Sequence, residues 1–207
     1  MKRTGIMGGT FNPVHTAHLI LAEAAYDCFG FDTVMFLPSG RPAYKPASGL
    51  LPDRQRLQLV QLAISGNPHF TVSDLELCRP GNTYTADTML ELAQAEPDTE
   101  FYLIIGGDSL MSFESWSRPE IILSHARLAV TGRAGLEQDR ALQKAEELRR
   151  KYGADIRFFP TPAMEISSTE IRKRIKAGKS IRYLVPEAVE KYMSRHGCYN
   201  ESGAVFV

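Results

Sequence analysis

Cysteine is scarce and poorly placed for cross-linking: Cys28, Cys78 and Cys198 are odd in number and far apart. That excludes a disulfide framework or a cysteine-built zinc site and suits a reducing compartment. A charge imbalance is also missing. Lysine plus arginine and aspartate plus glutamate both number 24, so the formal charge is zero. No long-range attraction to nucleic acid or a membrane surface follows, and any anion site must be built locally. No apolar run is long enough to span a membrane. Met1-Lys2-Arg3 runs straight into an apolar stretch, so no signal peptide is expected. Repeats and low-complexity linkers are lacking. A cytoplasmic protein without nucleic-acid or membrane partners is expected. The 207 residues, 43% of them apolar, suit a single domain over 1–207 with one continuous core and a helical C-terminal part over 165–196. The sequence leaves monomer and oligomer equally open.

What the chain does have is concentrated between Gly8 and Leu19. The stretch Gly8-Gly9-Thr10-Phe11-Asn12-Pro13-Val14-His15-Thr16-Ala17-His18-Leu19 follows the apolar run Thr4–Met7 and precedes a helical apolar pattern, Leu19, Ile20, Ala22, Ala25 and Tyr26. It reads as strand, glycine turn and helix, the first unit of an α/β sheet. Two glycines let the backbone approach a ligand closely. The helix start offers N–H groups and the positive end of the dipole to a phosphate. His15 and His18, three apart, share a face of the first turn and can each donate to an anion. A His pair can also bind metal, but no nearby Cys, Asp or Glu completes a ligand set, so no metal site is assigned. Neither the Walker A pattern nor Gly-x-Gly-x-x-Gly is present.

Further along, alternating strand and helix patterns predict a mostly parallel sheet of five or six strands. Helices are expected over about Thr16–Phe29, stopped by Gly30, then Asp53–Ser65, Thr85–Ala95 and Leu136–Tyr152. Strands are expected at Asp32–Leu37, Phe70–Val72, Phe101–Ile105, Ala126–Thr131 and Ile156–Phe159. Glu76–Gly81 reads as a loop with a turn, and the chain from about Gly197 as loosely held. The basic loop Pro38–Pro46, with Arg41 and Lys45, leaves the carboxyl end of a strand, where ligands of such sheets bind. Gly106-Gly107-Asp108-Ser109 is a second strand-to-helix turn, and the only tryptophan, Trp116, follows in a polar loop. Near the C-terminus, Ser167 and Glu170 have capping-box spacing, so Ile166-Ser167-Ser168-Thr169-Glu170-Ile171-Arg172 opens a helix. Its N–H groups, the Ser168 and Thr169 hydroxyls and Arg172 form a second phosphate cradle. Taken on its own, an ordinary helix cap is the better explanation of that stretch.

The first stretch resembles the nucleotidylyltransferase signature Gly-Gly-Thr-Phe-Asp-Pro-x-His-x-Gly-His. Asn12 stands where Asp is usual, and Ala17 where Gly is usual. Ile-Ser-Ser-Thr-x-Ile-Arg at 166–172 matches the superfamily's second signature. Gly81–Thr88, Ile105–Leu110 and Ile181–Glu187 look like the bacterial nicotinate-mononucleotide adenylyltransferases. Here Gly107 replaces the usual Ala and Tyr44 a common His. The resemblance runs from the first strand to about His196 and is weak between Ala134 and Pro160.

It implies a Rossmann-like nucleotidylyltransferase fold and adenylyl transfer from ATP to nicotinate mononucleotide, giving deamido-NAD (nicotinate adenine dinucleotide) and pyrophosphate. Mg²⁺ is implied, bound mainly through ATP oxygens. Catalytic roles fall on His15, His18, Lys45 and Arg172. ATP contacts fall on Gly8, Gly9, Thr10, Phe11, His15, His18, Gly106, Asp108, Arg133, Ile166, Ser167, Ser168, Thr169 and Arg172. Contacts to the mononucleotide fall on Thr10, Asn12, Lys45, Thr85, Asp108, Trp116 and Ser117. In such enzymes the Trp stacks on the pyridine, and backbone N–H groups matching Thr85 and Ser117 hold its carboxylate. A Trp that merely plugs the core edge is the plainer alternative. Rival functions are a nucleotidylyltransferase for nicotinamide mononucleotide or phosphopantetheine, a non-catalytic nucleotide sensor, and a metal-dependent hydrolase using the His pair.

Overall fold

The computed structural model describes residues 1–42, 49–132 and 136–200. In order, its elements are β1 (Lys2–Gly9), α1 (Thr16–Phe29), β2 (Thr33–Pro38), β3 (Arg41–Pro42), α2 (Asp53–Ile64), β4 (Phe70–Val72), α3 (Leu75–Cys78), β5 (Asn82–Thr83), α4 (Thr85–Ala95), β6 (Thr99–Ile105), α5 (Gly107–Met111), α6 (Pro119–His125), β7 (Ala126–Gly132), α7 (Leu136–Tyr152), β8 (Ile156–Pro160), α8 (Ser168–Lys176) and α9 (Glu187–Arg195). Six strands form one parallel sheet in the order β4-β2-β1-β6-β7-β8. The chain starts in the middle and winds outward in both directions, so a crevice opens between the carboxyl ends of β1 and β6.

Central position explains the sequence of β1. Thr4, Gly5, Ile6 and Met7 are all buried, because helices cover both faces of a parallel sheet. One apolar cluster joins α1, α2, α8 and α9 to one face through residues such as Ala22, Leu59, Ile171 and Val189. The other joins α4, α6 and α7 to the opposite face through Met89, Ile122 and Ala145. The charged helix α7 buries only a narrow stripe that includes Ala141, Ala145 and Leu148, as its solvated face requires. At the end of α1, Gly30 takes a φ of 59° and its N–H bonds the Tyr26 carbonyl, a left-handed cap that a side chain would strain.

Two expectations need correction. The stretch read as a loop at Glu76–Gly81 begins inside α3, and β5 follows it to pair with β3 in a small second sheet. A four-residue helix and a two-residue strand are too short for periodicity to reveal. The segment after Gly197 is not loosely held as far as it is described. Cys198 is buried, and the Tyr199 hydroxyl donates a 2.6 Å bond to Asn12 Oδ1.

Candidate active site

Between the carboxyl ends of β1 and β6 the backbone stands open. Gly8 is exposed although it is the penultimate residue of a central strand, and an added Cβ there would meet nothing within 4 Å. At Gly9 the same atom would press on the Phe11 ring at 3.2 Å. That ring is buried against Phe36, and Phe11 holds a left-handed φ of 46°. The turn is therefore bent around an inward phenylalanine, which brings its main chain to the cleft.

The two histidines follow at the start of α1. Their rings stack with centroids 3.6 Å apart, and Phe11 meets the His18 ring edge-on at 5.1 Å. The His15 N–H donates to His18 Nδ1 at 3.1 Å. A nitrogen that accepts carries no proton, so the His18 proton sits on Nε2. His15 is buried, and desolvation pulls its pKa from the ordinary 6.5 to about 4. It is neutral at neutral pH, so the stacked pair does not confront two cations. No acidic residue lies in the first turn of α1, leaving the helix dipole unopposed toward an anion.

The second motif is docked onto the first. Ser168 Oγ donates to the Pro13 carbonyl at 2.9 Å, and Arg172 Nη1 to the Asn12 carbonyl at 2.8 Å. Arg172 Nη2 also reaches the Thr169 hydroxyl at 3.3 Å. Ser167 caps α8 by accepting from the Glu170 N–H at 3.2 Å. His18 and Ser168 thus share one edge of the sheet, as the sequence reading requires. One part of that reading changes: the Ser168 hydroxyl, taken as a ligand donor, is engaged with Pro13. Ile166 is half-buried against the core.

Asn12 is buried and fully engaged. Its Nδ2 donates to the Gly49 carbonyl, while Oδ1 accepts from the Leu51 N–H and the Tyr199 hydroxyl. The carboxylate usual here would lack the Nδ2 donor and face the Gly49 carbonyl without a proton. Thr10 is buried too, and its carbonyl accepts from Arg56 Nη1 at 2.7 Å.

Arg56 went unnoticed in the sequence. Its side chain is 0% exposed and also bonds the Leu51 and Gly40 carbonyls and Asp53 Oδ1. It ties the first motif to the loop leaving β2. Arginines on helices are usually solvated, and only Asp53 three residues before Arg56 hinted otherwise. Glu76 is a second omission. Burial raises its pKa, opposed by the hydroxyl of Thr88, which donates to it at 2.8 Å. It braces the start of α4, where Thr85 lies.

On the other side of the crevice a cavity of about 230 Å³ is lined by Gly106, Gly107, Asp108, Met111, Thr131, Arg140 and Ala141. It unites the predicted Gly106 and Asp108 with Thr131 and Arg140, which sequence reading missed. A Cβ at Gly107 would meet only the Thr131 carbonyl, at 3.9 Å, so the alanine usual there fits without strain. Trp116 is half-buried, its ring 5.2 Å from that of buried Phe113, and Ser117 beside it is exposed. Lys45, Tyr44 and Arg133 lie outside the described residues. Among the described residues, no group of three His, Cys, Asp or Glu side chains is placed to hold a metal ion, and no helix is long and apolar enough to cross a membrane.

Comparison with known proteins agrees with this geometry. The cytidylyltransferase-like family model matches residues 6–174. A relative from Lachnoclostridium phytofermentans, named probable nicotinate-nucleotide adenylyltransferase, is 55% identical over 96% of this chain and 100% of its own length. One of the same name from Salinibacter ruber is 42% identical over 94% of this chain and 96% of its own. Among solved structures, the Plasmodium falciparum nicotinic acid mononucleotide adenylyltransferase complexed with NaAD superposes with a TM-score of 0.79. It covers 96% of this chain and 98% of its own at 18% identity, a likeness of fold alone.

Proposed function

The chain belongs to the cytidylyltransferase-like family, and from that premise we infer that it is an adenylyltransferase that joins ATP and nicotinate mononucleotide into nicotinate adenine dinucleotide, releasing pyrophosphate. The mononucleotide's phosphate oxygen attacks the α-phosphorus of ATP. The bond from the α-phosphorus to the bridging oxygen breaks, and pyrophosphate departs with that oxygen. A phosphate monoester is already a nucleophile at neutral pH, so no general base is required. The protein's task is to align the attack and meet the charge that develops.

In this reading the His18 Nε2–H donates to the α-phosphate, with neutral His15 beside it. Lys45, Arg133 and Arg172 hold the remaining phosphates and the departing pyrophosphate. The main chain of Gly8, Gly9, Thr10 and Phe11, and that of Ile166, Ser167, Ser168 and Thr169, lines the ATP path. The cavity at Gly106 and Asp108 takes its nucleoside end. Asn12 and Thr10 act by shaping the turn, since the side chain of one and the carbonyl of the other are already bonded. Mg²⁺ would be bound mainly through ATP oxygens, with no residue of this chain assigned as its ligand. When bound, it neutralises phosphate charge. The observation that carries the reading is the bonding of the second motif to the first at Pro13 and Asn12, which unites two helix N-termini on one crevice.

Nicotinate is the favoured ring. Trp116 offers a stacking face, and the Thr85 and Ser117 N–H groups suit a carboxylate better than an amide. Hydrogen bonds to a charged group contribute about 1.5–3 kcal/mol, a preference of roughly ten- to a hundredfold. The enzyme acts as one domain over 1–207, with 165–196 as its helical part. A cytoplasmic setting is supported by free cysteines at Cys28, Cys78 and Cys198.

Product identification tests the assignment. With ATP, Mg²⁺ and an equal mixture of nicotinate mononucleotide, nicotinamide mononucleotide and phosphopantetheine, nicotinate adenine dinucleotide should dominate. His18→Ala should lower turnover roughly a hundredfold. Equal use of both pyridine nucleotides, or full turnover by the variant, would refute the respective part.

A further inference from the structure

The peptides assigned to the nicotinate carboxylate belong to two different elements. Thr85 opens α4, and Ser117 lies in the loop before α6. One ion pair joins them. Arg118 Nη2 donates to Asp87 Oδ1 at 2.7 Å. Arg118 is the residue after Ser117, and Asp87 stands two after Thr85, still in the first turn of α4.

Two features make this pair unlike an incidental surface contact. Arg118 has a φ of 52° and a ψ of 59°, a left-handed conformation that costs a side-chain-bearing residue energy. Pro119 follows it, and a residue before proline is steered away from helical conformations. Local preference does not supply this conformation, so it depends on what the Arg118 side chain and the next helix hold. The second feature is charge. An Asp in the first turn of α4 favours the helix dipole, yet it sets a carboxylate beside the helix start where a substrate carboxylate must arrive. Arg118 offsets that charge. The two side chains are 44% and 38% exposed, so the pair adds little to fold stability, and its consequence is local.

We propose that the Asp87–Arg118 pair is a specificity clasp: Arg118 cancels the Asp87 charge beside the Thr85 and Ser117 N–H groups, so that a pyridine bearing a carboxylate is accepted over one bearing an amide. Both are positioning residues. The clasp rests on the nicotinate reading above.

Measuring kcat/KM for nicotinate and nicotinamide mononucleotides in the wild type, Arg118→Gln, Asp87→Asn and the double variant tests it. Arg118→Gln exposes Asp87 to the incoming carboxylate. It should lower kcat/KM for nicotinate mononucleotide roughly three- to tenfold, mainly through KM, while the amide substrate changes less than about twofold. Adding Asp87→Asn should restore the wild-type ratio, and Asp87→Asn alone should keep the preference for the acid. KM for ATP should stay constant throughout. An equal fall for both mononucleotides, an unchanged ratio, or no recovery in the double variant would overturn the clasp. A wild type indifferent to acid and amide would instead refute the nicotinate reading before any variant is made, and the clasp with it.

Discussion

The two sides of the crevice are held in opposite ways. On the phosphate side the bonds are buried or partly buried and run largely to main-chain carbonyls: Arg56 to Thr10, Gly40 and Leu51, Ser168 to Pro13, Arg172 to Asn12. On the tryptophan side, apart from the buried Thr88–Glu76 bond under α4, they are charge pairs near the surface. Asp87 meets Arg118, while Glu114 receives Lys144 at 2.5 Å and Lys151 at 2.7 Å. Those lysines, Lys144 first, hold the Glu114 carboxyl down at about 2. Buried bonds to carbonyls fix a backbone against water and salt alike. Surface pairs position a loop while leaving it sensitive to ionic strength. Charge development on phosphorus needs the first kind of support, and admission of a ring needs only the second.

The comparison breaks most severely at Arg56. Replacing it by Met strands three carbonyls and should destabilise the fold by roughly 3–5 kcal/mol, read by urea melts. Turnover should fall in step, since the Thr10 turn loses its anchor. A loss confined to KM for the mononucleotide would show that Arg56 serves the other side.

Next in size is a pH effect confined to the phosphate side. The folded protein keeps His15 neutral down to about 4, whereas the unfolded chain takes up a proton below the ordinary 6.5. Below 6.5 the unfolded state therefore binds more protons, and stability declines with falling pH until it levels off below about 4. The ceiling on this contribution is about 3 kcal/mol. Urea melts of the wild type and His15→Gln across that range should diverge in slope, and parallel curves would refute the assignment.

The smallest effect sharpens the contrast. Glu114→Gln should raise KM for the mononucleotide roughly twofold at low salt and leave KM for ATP alone. The difference should vanish near 1 M salt, where screening extends only about 3 Å. A salt-independent change would place Glu114 among the buried supports instead.

Much of this was legible in the sequence. The strand-turn-helix at Gly8–Leu19 and the helix at Ser168 declared themselves by glycine spacing and capping, and the sheet by its apolar runs. The supports were not legible, because each joins residues far apart in sequence through a single side chain. Arg56 resembles any helical arginine until the turn at Thr10 folds over it. Glu76 sits in a helix of one turn, and Arg118 in a loop whose φ no pattern reveals. Asn12 was visible as a departure from a motif. That it is held by Gly49, Leu51 and Tyr199 could come only from the fold.

Sequence separation gives the Asn12–Tyr199 bond a kinetic meaning. Its partners stand 187 residues apart, and the Ser168 and Arg172 bonds span 155 and 160. Arg118 and Asp87 are separated by only 31. Closing the longest of these loops costs about 1.6 kcal/mol more chain entropy than closing the shortest. As the chain folds, the ring-binding side can therefore assemble from one local stretch, while the phosphate side waits until its two ends meet. Competence to bind the mononucleotide ring should precede competence to transfer an adenylyl group.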